Sequence, residues 1–230
     1  MDNMKIAVYG KTPESKAQLL KAAKKTGFAY DEKKPDLVIS YGGDGTFLWA
    51  ERKYPGIPKA LFRYSKTCKK CHNLPIDHAL ELIKKRKYKI SSHSKLEVKI
   101  DNTVLTAAND IVIRNALPTH AIRFTLSING KEINEEFIGD GIVVATPFGS
   151  TAYFHSITKK NFKKGIGIAF NNTTTIHPPI FLSEKSKIQL TMTRGEAFVV
   201  ADNEPRMVVL TPGKHVTITV SRKKARIIEF

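Results

Sequence analysis

The stretch Leu37-Val38-Ile39-Ser40-Tyr41-Gly42-Gly43-Asp44-Gly45-Thr46 joins an apolar run to three glycines that bracket one acid. Leu37 to Ser40 is a continuous apolar run of the kind buried in a parallel strand, and a helical pattern follows from Phe47 to about Lys53. Gly42, Gly43 and Gly45 allow a sharp turn and a close backbone approach to a ligand, and the N–H groups at a helix start attract phosphate. Thr46 completes that loop. An acid here opposes a phosphate's charge. Asp44 makes chemical sense as a ligand for a divalent metal or as the acceptor of a proton from an attacking hydroxyl. The alternative is a tight turn carrying a solvated carboxylate.

Working outward, the first third alternates strand with helix. Lys5–Tyr9 is a short β-rich run. Thr12-Pro13 supplies an N-cap and a first-turn proline, and Ala17, Leu19, Leu20 and Ala23 form a helical stripe that Gly27 ends. Lys59–Phe62 reads as a third strand. Pro75 to Lys87 reads as a helix with Ile76, Ala79, Leu80 and Ile83 on one face. Such alternation implies a parallel sheet.

After about residue 92 the pattern changes. Leu96–Ile100, Phe124–Ile128 and Val216–Val220 alternate with period two, and Ile128-Asn129-Gly130-Lys131 is a hairpin turn. The expected organisation is an α/β domain over 1–92 and a β-rich domain over 93–230. No repeat or low-complexity linker separates them.

Composition bounds the partners. The 230 residues are 41% hydrophobic and 26% charged, which suits a globular chain, and no apolar run reaches the roughly 18 residues of a membrane span. The start of the chain lacks the apolar region and cleavage site of a secretory signal, and two cysteines make no disulfide framework, so a cytoplasmic setting is expected. The net charge is +17, and residues 51–100 carry fourteen Lys or Arg against four acids. That field favours anionic partners, or simply gives a solvated basic surface. The basic motif interleaved with aromatics that marks an RNA-binding module is absent, which argues against nucleic acid.

Two further stretches carry chemistry. Gly139-Asp140-Gly141-Ile142-Val143-Val144-Ala145 is a buried strand behind an Asp loop, and it runs into Thr146-Pro147-Phe148-Gly149-Ser150-Thr151-Ala152-Tyr153. Tyr153 can stack on a base while nearby hydroxyls read its edge. Ala108-Asn109-Asp110 places a polar pair at the start of an apolar strand.

In order and spacing these three stretches resemble the NAD kinase family, over nearly the whole chain. The likeness extends to Ser156 and to Asp202 in Val200-Ala201-Asp202-Asn203, which is similar to a late Asp-Gly element. The Gly-Gly-Asp-Gly-Thr loop also occurs in phosphofructokinases and lipid kinases; the 139–153 motif discriminates. The resemblance implies an α/β N-terminal domain, a β-rich C-terminal domain, and transfer of a phosphoryl group from ATP or polyphosphate to the 2′-hydroxyl of the adenosine ribose of NAD. It implies Asp44 as general base, with Gly42, Gly43, Gly45 and Thr46 as the phosphate loop and a divalent ion, magnesium, as cofactor. Asp44, Gly45, Asn109, Asp110, Thr151, Ala152, Tyr153 and Ser156 are then contacts to NAD. His120 falls at a basic ligand contact. Asp140 matches an Asp that reaches the nicotinamide end of a ligand in a neighbouring subunit, and self-association into a dimer or tetramer is implied.

The chain departs from the pattern at Phe62–His72, where the family's glycine-rich loop is replaced by one bearing Arg63, Lys66, Lys69 and Lys70; these cations are expected to take over the donor phosphates. Asp110 replaces a frequent Glu, and Ile157-Thr158-Lys159-Lys160 replaces a Gly-Gly-Pro. Cys68-x-x-Cys71-His72 is expected to carry free thiols in a basic loop; a zinc site completed by His78 or His93 is the alternative. Two rival functions stand beside the kinase of NAD. One is a lipid or sugar kinase with the same loop; the other is a basic nucleotide-binding protein of this fold with little turnover.

Overall fold

Thr12 caps the first helix through a reciprocal pair: the Thr12 hydroxyl accepts the Ser15 N–H, and the Ser15 hydroxyl accepts the Thr12 N–H. From this start α1 runs over Pro13–Lys25. The computed structural model describes residues 4–64, 68, 70–133 and 135–230. It divides into two units, residues up to His93 together with Lys223–Phe230, and Ser94–Arg222.

The first unit is a parallel sheet. Its strands are β1 (Lys5–Gly10), β2 (Ala29–Tyr30), β3 (Leu37–Gly42) and β4 (Lys59–Arg63), in the order β2-β1-β3-β4. Helices α2 (Asp44–Lys53) and α3 (Ile76–Lys84) follow β3 and β4. Every residue of β3 is buried, because successive side chains point to opposite faces and both faces are covered. Leu37, Ile39 and Tyr41 join a core with Leu19 of α1 and Leu80 and Ile83 of α3, whereas Val38 packs with Ala50 and Tyr54 on the other face. Strands covered on both faces read as continuous apolar runs. Lys59, fully buried, lies 2.5 Å from the Glu51 carboxylate and donates to the carbonyls of Tyr54 and Ile57. Such a pair needs every donor satisfied to offset its desolvation, and it fastens α2 beside β4.

Two boundaries differ from expectation. Helix α2 begins at Asp44 rather than Phe47, because the Gly43 carbonyl already accepts the N–H groups of Thr46 and Phe47. Helix α3 stops at Lys84, and Arg86 takes a left-handed conformation.

The second unit is a β-sandwich. One sheet contains β5 (Lys89–Ile100), β6 (Thr103–Ala107), β8 (Ile122–Ile128), β9 (Lys131–Glu132), β10 (Phe137–Gly139), β14 (Ile188–Arg194) and β17 (His215–Glu229); β7 (Asp110–Asn115) belongs to the other. That second sheet is antiparallel, in the order β13 (Ile180–Leu182), β12 (Ile166–Asn171), β11 (Gly141–Ala145), β7, β15 (Ala197–Ala201), β16 (Val208–Leu210). Leu126, Leu190 and Ile218 from the first sheet share one core with Ile113, Ile142 and Ile168 from the second. The expected 128–131 hairpin is present, with Asn129 and Gly130 both at positive φ. The expected second domain took in everything after residue 92. Strand β17 instead carries its last residues into the first unit, where Ile227 pairs in parallel with Lys59.

Helix α4 (Tyr153–Thr158) covers the outer face of the second sheet. Six residues are too few to hold a helix alone. Phe154 anchors it, fully buried among Val112, Val143, Ala145 and Ala169, a burial worth about 1.5–3 kcal/mol. No helix among the described residues is long and apolar enough to cross a membrane.

Candidate active site

In the first unit β3 runs into Gly42, and α2 starts two residues later. A Cβ on Gly42 would sit 2.0 Å from Thr46 Oγ1, so only glycine fits against this side chain. Thr46 Oγ1 accepts the Gly43 N–H at 3.3 Å. The Gly42 carbonyl accepts the Tyr64 N–H and the Tyr41 carbonyl that of Lys11, which brings the neighbouring strand ends to the loop. Tyr41 and Tyr64 meet edge to face, 5.0 Å apart, and burial raises the Tyr41 phenol's pKa. Asp44 therefore occupies the first turn of a ten-residue helix, half-buried, where the helix dipole favours its negative charge. The same end can bind phosphate.

The 62–72 loop differs from expectation. Cys68 and Cys71 form a disulfide, with Cα atoms 5.6 Å apart, within the range a bridge requires. Two contacts tie the pair to β4. Arg63 Nη2 donates to the Cys68 carbonyl at 2.7 Å, and the His72 N–H donates to the Leu61 carbonyl. Cys68 Sγ rests 3.2 Å from Asp44 Oδ1. Sulfurs bonded to each other are not zinc ligands, and the His72 and His93 rings are engaged by the Ile228 carbonyl and the Ser91 hydroxyl. Arg63 is committed to its own loop; Lys66 and Lys69 lie outside the described residues.

In the second unit three separated sequence motifs meet at one end of the sheet. Strand pairing places Asp110 beside Ala145, and Ile111 beside Ala201. The 108–110, 146–153 and 202–203 segments are thus neighbours. Thr146 Oγ1 donates to the Ala108 carbonyl at 2.6 Å and accepts the Gly149 N–H at 3.0 Å, while the Thr146 N–H donates to the Asn109 carbonyl. The Asp202 carboxylate accepts the N–H groups of Ala108, Asn109 and Asp110 at 2.7, 2.8 and 3.1 Å. Enclosure pushes the Asp202 carboxyl above its ordinary range, against those three donors and the Lys95 cation. Asn109 and Asp110 are buried. Thr151, Ala152 and Tyr153 are half-buried, and exposed Ser156 donates to the Tyr153 carbonyl at 2.8 Å.

Asp140 and His120 lie at the opposite end of this sheet. The five residues of strand β11 lie between Asp140 and Thr146 and put them about 20 Å apart. Asp140 accepts from the amides of Asn115 at 3.3 Å and Asn172 at 3.1 Å. The Asn115 amide also donates to the carbonyls of Leu117 and His120, and the His120 ring is exposed. Tyr153 bridges part of that distance, because its hydroxyl accepts from the Asn171 amide at 3.3 Å. Sequence reasoning missed Asn115, Asn171 and Asn172, since asparagines at strand ends read as turns. It also missed that the two cysteines pair beside Asp44.

The family described as ATP-NAD kinase C-terminal domain matches residues 108–230. The chain is 31% identical over 249 aligned positions to the NAD kinase of Sulfurisphaera tokodaii, covering 99% of this chain and 96% of that one. It is 28% identical to the NAD kinase of Methanopyrus kandleri, over 86% and 74% of the two chains. Among solved structures it is similar to an NAD kinase from Archaeoglobus fulgidus in complex with ATP, with a TM-score of 0.84, 21% identity and coverage of 98% and 94%. It is also similar to yeast NADH kinase complexed with NADH, with a TM-score of 0.86, 17% identity and coverage of 99% and 84%. At these identities the solved structures establish the shared fold.

Proposed function

Because the chain belongs to the NAD kinase family and is a kinase, we propose that it transfers the γ-phosphoryl group of ATP to the 2′-hydroxyl of the adenosine ribose of NAD. The observation that carries this reading is Asp44, a half-buried carboxylate fixed at the phosphate-binding start of α2 by a loop that admits only glycine at position 42. The hydroxyl oxygen forms a bond to the γ-phosphorus while the bond from that phosphorus to the bridging oxygen breaks. ADP leaves, and the hydroxyl proton passes to Asp44.

Little covalent chemistry falls to the protein, so its work is positioning and charge stabilisation. The N-terminal end of α2, which begins at Asp44, offers its dipole to phosphate oxygens. A magnesium ion fits this donor set, because such ions take one or two carboxylates beside substrate phosphates. Asp44 would hold it, and its charge would offset that developing on the phosphates. In the second unit Asn109 and Asp110 bind polar groups of the adenosine, Tyr153 stacks on a ring, and Thr151, Ala152 and Ser156 line the pocket. Asp202 is a positioning residue, since it holds the three amides that present Asn109 and Asp110.

Asp140 and His120, at the far end of the sheet, fit the nicotinamide portion of a dinucleotide bound by a neighbouring subunit, in a dimer or tetramer. The deciding experiment incubates the purified chain with NAD, ATP and magnesium and follows NADP. Polyphosphate in place of ATP, and a panel of sugars and lipids in place of NAD, complete it. NADP formed with ATP supports the reading; turnover only with a sugar or lipid, or none at all, overturns it.

A further inference from the structure

Asp44 has a neighbour that phosphoryl transfer leaves unused. Cys68 is buried, its Sγ lies 3.2 Å from Asp44 Oδ1, and it is bonded to Cys71. Both sulfurs and the Asp44 oxygen lie within 4.8 Å of one another. Arg63 holds the Cys68 carbonyl, the Tyr64 N–H holds the Gly42 carbonyl, and His72 is held by Leu61 and by Ile228. The segment bearing the cysteines is thereby tied to the strand ends that present Asp44.

What the sulfur does to Asp44 depends on its oxidation state. In the disulfide Cys68 carries no proton, so the 3.2 Å approach is plain contact and Oδ1 keeps its lone pairs. Reduction gives Cys68 an S–H at a separation from which it donates to that carboxylate. The new hydrogen bond occupies a lone pair on the group that must take the hydroxyl proton.

We propose that Cys68 and Cys71 form a thiol–disulfide switch on Asp44, in which the disulfide leaves the base available and the dithiol hydrogen-bonds it and slows transfer; this rests on Asp44 acting as the base. Two thiols lose two protons and two electrons to make one S–S bond. An external disulfide accepts both and departs as two thiols, by way of a mixed disulfide.

The test equilibrates the full chain in mixtures of reduced and oxidised dithiothreitol, counts free thiols, and measures NADP formation from NAD, ATP and magnesium on the same samples. As the thiols fall from two to none, the rate should rise by about tenfold with the same midpoint. Cys71→Ser, which keeps a lone Cys68 thiol, should show the low rate at every mixture. Cys68→Ala should show the high rate at every mixture. Equal wild-type rates with and without the disulfide, thiols that stay free in the most oxidising mixture, or a redox response retained in Cys68→Ala would each overturn the switch. Equal rates leave the kinase reading standing; no NADP in either state overturns that reading and the switch with it.

Discussion

Gly149 sits so close to Asn109 that a Cβ on it would lie 2.1 Å from the Asn109 carbonyl oxygen. The turn after β11 is thus packed directly on the backbone of the polar pair that opens β7. Backbone against backbone leaves no flexible side chain to yield. Gly149→Ala should cost about 1–3 kcal/mol of stability, read from urea unfolding midpoints, and should raise the KM for NAD by displacing Asn109.

Asp202 grips the same pair from the other side. In Asp202→Asn one oxygen becomes an NH2 group facing N–H donors, so at least one amide loses its acceptor. A buried donor left unsatisfied costs about 1–3 kcal/mol. We expect the KM for NAD to rise more than kcat falls, because a positioning residue acts through binding. A variant with the wild-type KM would remove Asp202 from this role.

Tyr153 separates stacking from hydrogen bonding. Tyr153→Phe removes only the 3.3 Å contact with the Asn171 amide and should change the KM little. Tyr153→Ala removes the ring, and base stacking on an aromatic is worth about 1–3 kcal/mol. Its KM for NAD should rise roughly 5- to 150-fold, with kcat much less affected. Equal effects in the two variants would contradict stacking.

His93 gives stability a pH dependence. Burial pulls its pKa down and the Lys70 cation adds to this, while the Glu229 carboxylate opposes both. Unfolded, the imidazole takes its proton near pH 6.5; folded, it does so only at lower pH. Between those values the unfolded chain binds more protons, so stability falls as the pH drops. The urea midpoint should therefore decline from about pH 7 to about pH 5.5, and His93→Gln should flatten that decline.

Much of this was legible in the sequence for identifiable reasons. The run Leu37–Ser40 announced a strand covered on both faces, and Val38 and Ile39 do bury on opposite sides. Thr12-Pro13 marked the start of α1, and Asn129-Gly130 the hairpin. The Gly-Gly-Asp-Gly-Thr loop was also legible, because glycine spacing reports local backbone demands. What stayed hidden depends on contacts between distant residues. Nothing near Asp202 says that its carboxylate caps amides more than ninety residues earlier. Nothing near Asp140 says that it lies a whole strand from Thr146. Nothing near Cys68 says that Arg63 holds its carbonyl and that His72 returns to Leu61, the contacts beside which the Cys68–Cys71 bridge closes.

The proposed function rests on Asp44 taking the proton from the ribose hydroxyl. The most direct measurement is the initial rate of NADP formation by Asp44→Asn at saturating NAD, ATP and magnesium, with unfolding midpoints confirming an intact fold. Removing a general base lowers the rate by about 100- to 10,000-fold, and that loss is the expected result. A variant that keeps more than about a third of the wild-type rate, far above what loss of a general base allows, would contradict it.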